Sequence, residues 1–196
     1  MSVLRENMPM ISLNSFLALI PIVCGWLMMK TRQKFLQGAF ALLWFAFLPN
    51  TLYILTDLRY VPDQWIVLSR VGKIGLAVQY LLYEFIGVSS FLLALSLLEK
   101  TLRGSRWREN KVLLPLLLIS VNFCIGFGMV LGRVLRLNSW DIFFAAPKVL
   151  HAAFSMLSSL ELLLLGVFFG VVANSVYFFF RSFRRISTTL FSKWMR

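Results

Sequence analysis

The chain has 196 residues, of which 59% are hydrophobic and only 14% charged. Soluble domains carry about a quarter charged residues because water-facing surface needs them, so this composition excludes a soluble bundle of helices with polar outer stripes. The formal charge of +12, from 20 Lys plus Arg against 8 acids, invites a nucleic-acid reading. The basic residues lie in short connectors and at the tail, where membrane topology puts them, and no nucleic-acid partner is expected.

In chain order, the apolar runs Met10–Met29, Phe35–Thr56, Ile74–Leu98, Val112–Gly132 and Phe154–Phe180 are each long enough to cross a bilayer as a helix, which takes about 20 residues. None alternates with period two, so a barrel is excluded, and lipid leaves helices as the remaining way to satisfy the backbone. The fold class is therefore all-α, an integral membrane bundle of about five helices in contact with the lipid bilayer. Residues 1–180 read as a single transmembrane domain and 181–196 as a basic amphipathic tail. The first run is followed, not preceded, by basic residues (Lys30, Arg32, Lys34) and lacks a small-residue cleavage site, so it reads as a retained helix and not as a signal peptide.

With five spans, the connectors and termini on one side hold thirteen basic residues and those on the other hold seven. The positive-inside rule then puts the N-terminus outside and the tail in the cytoplasm. Within the tail Phe183, Ile186, Leu190 and Trp194 recur at helical spacing among Arg184, Arg185, Lys193 and Arg196. That pattern fits anionic lipid head groups, and equally a charge cluster that only sets topology. Cys24 and Cys124 lie in apolar runs and His151 is the single histidine, so neither a metal site nor another cofactor is expected; the two cysteines lie at depths about 10 Å apart, too far for a disulfide.

Lipid supplies no hydrophobic force between helices, so small residues that let backbones approach guide their packing. Gly128-x-x-x-Gly132, Gly166-x-x-x-Gly170 (a face that Asn174 continues) and the Gly87, Ser90, Ala94 stripe are the candidate contact faces. They suit packing within one chain, a homo-oligomer or a partner in a membrane complex.

Two polar segments stand out. The second run ends at Pro49, which breaks the backbone ladder, leaving carbonyls for Asn50 or Thr51 to satisfy. Asn50, Tyr53, Thr56 and Asp57 then fall near one helical face, with Arg59 beyond. The fourth run ends in Gly132-Arg133-x-x-Arg136-x-Asn138-Ser139-Trp140-Asp141, where Asn138 or Ser139 is placed to cap a following helix near Asp141. Both segments follow even-numbered spans and must emerge on the same side. Asp57 and Arg133 or Arg136 are therefore expected to pair there. Glu84, about 15 Å deep in the third run at 1.5 Å per residue, and Glu161 at the start of the fifth enter from the same side. An ionisable residue inside a span marks a functional site or an ion pair that holds the bundle together. The candidate ligand-binding residues are Asn50, Tyr53, Asp57, Arg59, Glu84, Arg133, Arg136, Asn138 and Asp141.

These two segments resemble the hallmarks of the DUF1361 family, small multi-pass bacterial membrane proteins without an assigned function. The resembling residues are Pro49, Asn50, Tyr53, Thr56, Asp57 and Leu58, then Gly132, Arg133, Arg136, Asn138, Ser139, Trp140 and Asp141. Where members of that family often carry Trp-Tyr-Asp near the start of the third span, this chain reads Gln64-Trp65-Ile66-Val67. The resemblance implies a bacterial cytoplasmic membrane protein and carries no activity with it.

Three functions are compatible with these residues. A binding or transport protein would hold an anionic group with Arg59, Arg133 and Arg136 in an outward-facing pocket. A structural or assembly subunit would use the same residues for helix docking. A membrane enzyme acting on a lipid-linked phosphate would hold Mg²⁺ on Asp57 and Asp141; no nucleophile or phosphate-loop motif accompanies these residues.

Overall fold

The structure, a computed structural model, describes residues 2–103 and 112–194, with the side chains of 3–103 and 112–183. Among them every regular element is helical: α1 Ser2–Lys30, α2 Lys34–Phe47, α3 Pro49–Tyr53, a 3₁₀ segment Ile54–Tyr60, α4 Val61–Val67, α5 Arg70–Arg103, α6 Leu113–Arg133, α7 Asp141–Phe144, α8 Ala146–Leu157 and α9 Leu160–Trp194. Five stretches are long and apolar enough to cross a membrane: Val3–Lys30, Lys34–Val67, Arg70–Arg103, Leu113–Arg133 and Leu160–Phe183. α1 packs on α2 and α5, while α6 pairs with α9. A core of Trp44, Leu52, Phe91, Leu118, Ile125 and Tyr177 joins the two groups. Phe16, Phe85, Phe154, Phe168 and Phe179 stay exposed, as helices apolar on every side require when lipid is the solvent.

Two boundaries differ from the sequence reading, each for a local reason. α1 starts at Ser2, a full two turns before Met10, because its polar first turns are held from outside. Buried Asn7 exchanges hydrogen bonds with Gln64 (2.8 and 2.9 Å), and Gln79 Nε2 donates to the Leu4 carbonyl at 2.9 Å. The fifth span starts at Leu160 and not at Phe154. Ser158 Oγ donates back to the Phe154 carbonyl, and Ser159 Oγ accepts from Leu162 N–H as an N-cap. That pair closes α8 and opens α9 with Glu161 in its first turn, where the helix dipole favours an acid. The chain kinks at Pro49 as its sequence predicts, with Asn50 Nδ2 donating to the Phe47 carbonyl and Thr51 Oγ1 to that of Leu48.

The expected contact faces are used, with one glycine added. Gly87, Ser90 and Ala94 are buried as a stripe, and Gly87 packs on Thr51 and Ile54. The α6–α9 approach, however, runs through Gly126, where an added Cβ would collide with the backbone of Gly166 and Gly170. Gly128 packs on Pro49 and Gly132 faces Tyr53 instead. Both glycine pairs are therefore contact faces, Gly166 and Gly170 towards α6 and Gly128 and Gly132 towards α3; the spacing did not mark Gly126, which lies two residues from Gly128 on another side of α6. Beside this crossing Asn122 Nδ2 donates to Asn174 Oδ1 at 3.1 Å. Of the connector Lys100–Lys111, residues 104–111 fall outside the described residues. The backbone of α9 continues through the start of the basic tail, whose side chains from 184 onward are also outside them.

Candidate functional site

The centre of the polar cluster is Asp57, fully buried on the 3₁₀ segment. Burying a carboxylate is tolerable only when its oxygens are occupied, and here each has a partner. Oδ1 accepts from Arg133 Nη2 at 2.5 Å. Oδ2 accepts from Tyr83 Oη at 2.7 Å and from Asn14 Nδ2 at 3.2 Å. Arg133 also donates through Nη1 to Tyr53 Oη at 3.1 Å, with its guanidinium carbon 4.7 Å from the Tyr53 ring centre and 5.6 Å from that of Tyr60. Tyr53, Asp57 and Tyr60, three and four residues apart, thus form one wall around a single arginine. Of the two arginines expected to pair with Asp57, Arg133 does so directly. Asn14, Tyr60 and Tyr83 did not stand out in the sequence. An amide inside an apolar run was the signal for Asn14; nothing marks either tyrosine until the fold places it.

Beside this pair lies a cavity of about 600 Å³. Arg59, Arg133 and Arg136 line it, and Asn50, Tyr53 and Asn138 are also on its wall. No carboxylate or lysine lines it among the described residues. Asp57 neutralises Arg133 from behind, which leaves Arg59 and Arg136 without an ion pair among the described residues. Arg59 Nη2 donates to Tyr60 Oη at 2.6 Å and sits over that ring. Arg136 takes a φ of 54°, the left-handed conformation that closes α6 and lets Leu137 N–H reach the Leu131 carbonyl at 3.1 Å. A side chain there costs about 1–2 kcal/mol relative to glycine. Asn50 Nδ2 donates to Ser139 Oγ at 2.7 Å, which ties the kink in the second span to the loop after the fourth.

The remaining candidates lie elsewhere. Asp141 is not on the cavity wall: its Oδ2 accepts from Asn138 N–H at 2.9 Å and from Lys148 at 3.2 Å. The expected roles are therefore exchanged, with the Asn138 N–H donating to the Asp141 carboxylate, and this donor and Lys148 hold the Asp141 carboxyl below the usual carboxylate range. Glu84 does not line the cavity either, and its two oxygens are buried with no hydrogen-bond partner among the described residues. Glu161 is exposed at the start of α9.

A second buried cluster at the opposite end was missing from the candidates altogether. Glu99 accepts from Arg103 (2.7 Å), Arg181 (2.6 Å) and Tyr177 Oη (2.6 Å). Its local sign, Glu99 four residues before Arg103, looks like an ordinary surface pair; α9 supplies the other partners and buries the acid. Among the described residues no group of three His, Cys, Asp or Glu is placed to hold a metal ion.

No curated protein and no solved structure matches the chain. The family described as "Protein of unknown function (DUF1361)" matches residues 13–176, a stretch that contains both polar segments and every residue of the Asp57 network. The chain belongs to that family.

Proposed function

We propose that this is a membrane protein of binding or transport type whose cavity holds an anionic group. One observation carries the reading: a recess of about 600 Å³ is walled by three arginines from two separate segments, with no acid on its wall among the described residues. Guanidinium groups are weakly hydrated planar forks matched to phosphate and carboxylate oxygens, and two of these three have no ion pair among the described residues. Asp57 then acts on Arg133 as a brace, fixing its position for a ligand held by Arg59 and Arg136. Arg136 supports the same reading, since a non-glycine residue held in the left-handed region is strain of the kind that collects at functional sites. The basic excess favours an outer-facing cavity and a cytoplasmic tail in the bacterial cytoplasmic membrane.

The test is titration of purified protein with inorganic phosphate, comparing wild type with Arg136→Gly. Saturable binding lost in the variant supports the reading, and binding unchanged in the variant rejects it. A purely structural role is the second reading, favoured by the fully partnered Asp57; it expects no anion binding at all. The enzyme reading is weaker, because Asp57 and Asp141 are each engaged by their own donors and neither lines the cavity.

A further inference from the structure

We infer that the anion taken by this cavity is the phosphate head group of a membrane amphiphile, which enters sideways from the bilayer; the inference rests on the anion-binding reading above. The cavity has two unlike ends. Along α6 its wall runs from Arg133 back through Leu131 and Phe127 to Cys124, nine residues or about 13 Å towards the middle of the span. The facing wall from α1 and α2 runs through Leu13, Leu17 and Phe45; its one polar side chain among the described residues, Asn14, donates to Asp57 and Tyr83. The arginines therefore sit at the membrane edge, and the deeper part offers no charged group. A small water-soluble anion would satisfy the arginines and leave this apolar arm filled with water that finds few hydrogen-bond partners. A hydrocarbon chain fills it without that cost.

The deep wall is also open to the side. Leu13 is 52% and Phe45 45% exposed, and Cys124 is exposed as well, at a level where the surroundings of a spanning helix are acyl chains. An amphiphile can slide in with its head group at the arginines and its tail still continuous with the bilayer. Phosphate suits the head better than carboxylate. The guanidinium groups come from the 3₁₀ segment and from the end of α6, and a phosphate offers more oxygens than a carboxylate for donors arriving from different directions.

The experiment uses the full chain purified in detergent, with binding measured by native mass spectrometry for dioleoyl phosphatidic acid, dioleoyl glycerol, glycerol 3-phosphate and inorganic phosphate. The proposal expects phosphatidic acid to bind at least tenfold more tightly than either soluble phosphate or the uncharged lipid. Cys124→Trp, which fills the apolar arm from an already exposed position, should weaken phosphatidic acid at least tenfold and leave inorganic phosphate unchanged. Val149→Trp, on another wall of the cavity, repeats the comparison if the first variant does not fold. Soluble phosphates binding as tightly as phosphatidic acid would overturn this inference and leave the anion site standing. Dioleoyl glycerol binding as tightly as phosphatidic acid, or no binding by any phosphate, would overturn both.

Discussion

Arg133 and Asp57, 76 residues apart in the chain, meet in a buried ion pair that joins the fourth span to the end of the second. Removing one partner of a buried pair leaves the other charge uncompensated, typically at about 3–5 kcal/mol. Asp57→Asn should therefore lower the thermal midpoint in detergent sharply, and Asp57→Asn with Arg133→Gln should recover part of the loss. A single variant that melts like wild type would show that the pair contributes little.

Arg136→Gly separates binding from stability. Glycine adopts the left-handed conformation freely, so the variant should be as stable as wild type or more so, by up to about 1–2 kcal/mol, while losing anion binding. A destabilised variant would mean that the Arg136 side chain serves packing.

The Glu99 cluster ranks its own arginines. The Arg103 side chain is 50% exposed and that of Arg181 11%. Arg103→Ala should cost no more than about 1 kcal/mol, as exposed pairs do. Arg181→Ala should approach the cost of breaking a buried pair, about 3–5 kcal/mol. Equal effects in thermal unfolding would contradict this ranking.

Helix crossing provides a steric comparison. Gly126→Ala puts a carbon against the α9 backbone, and overpacking of this kind costs about 1–3 kcal/mol. At Gly132 the nearest atoms to an added carbon are Tyr53 Cε2 at 3.5 Å and the Leu137 carbonyl at 3.6 Å, so Gly132→Ala should be tolerated. Unfolding curves of the two variants in one detergent decide it.

Asp141 sets a pH window. Its carboxyl is held below the usual range by Asn138 N–H and Lys148, whereas unfolded it titrates near about 3.9. The stabilisation is present above the unfolded value and disappears as pH falls through the lower folded one. Trp140 fluorescence, next to this turn, should stay flat from pH 8 to 5 and change only in stronger acid. A transition between pH 5 and 7 would assign control of the turn to another group.

Orientation is tested by labelling single cysteines placed in the Lys100–Lys111 connector of intact cells. An impermeant maleimide should fail to reach them, and ready labelling would reverse the assignment of sides without changing the number of spans.

The sequence by itself determined the span count, the helical class and the sidedness of the two polar segments, because length, hydropathy and alternation of sides follow from the bilayer's thickness alone. From that sidedness a pair between Asp57 and either Arg133 or Arg136 was also legible, since opposite charges at one membrane edge have strong reason to meet; only the tertiary structure selected Arg133. Partners within the membrane were not. Tyr83, Asn14 and Tyr177 are single polar groups in apolar runs, and only helix rotation and tilt decide whether such a group faces lipid or a buried acid. The same applies to Gly126, whose use depends on where α9 crosses. The cavity belongs wholly to the tertiary structure: its arginines come from two segments and its apolar arm from several helices, and no local pattern encodes the space left between them.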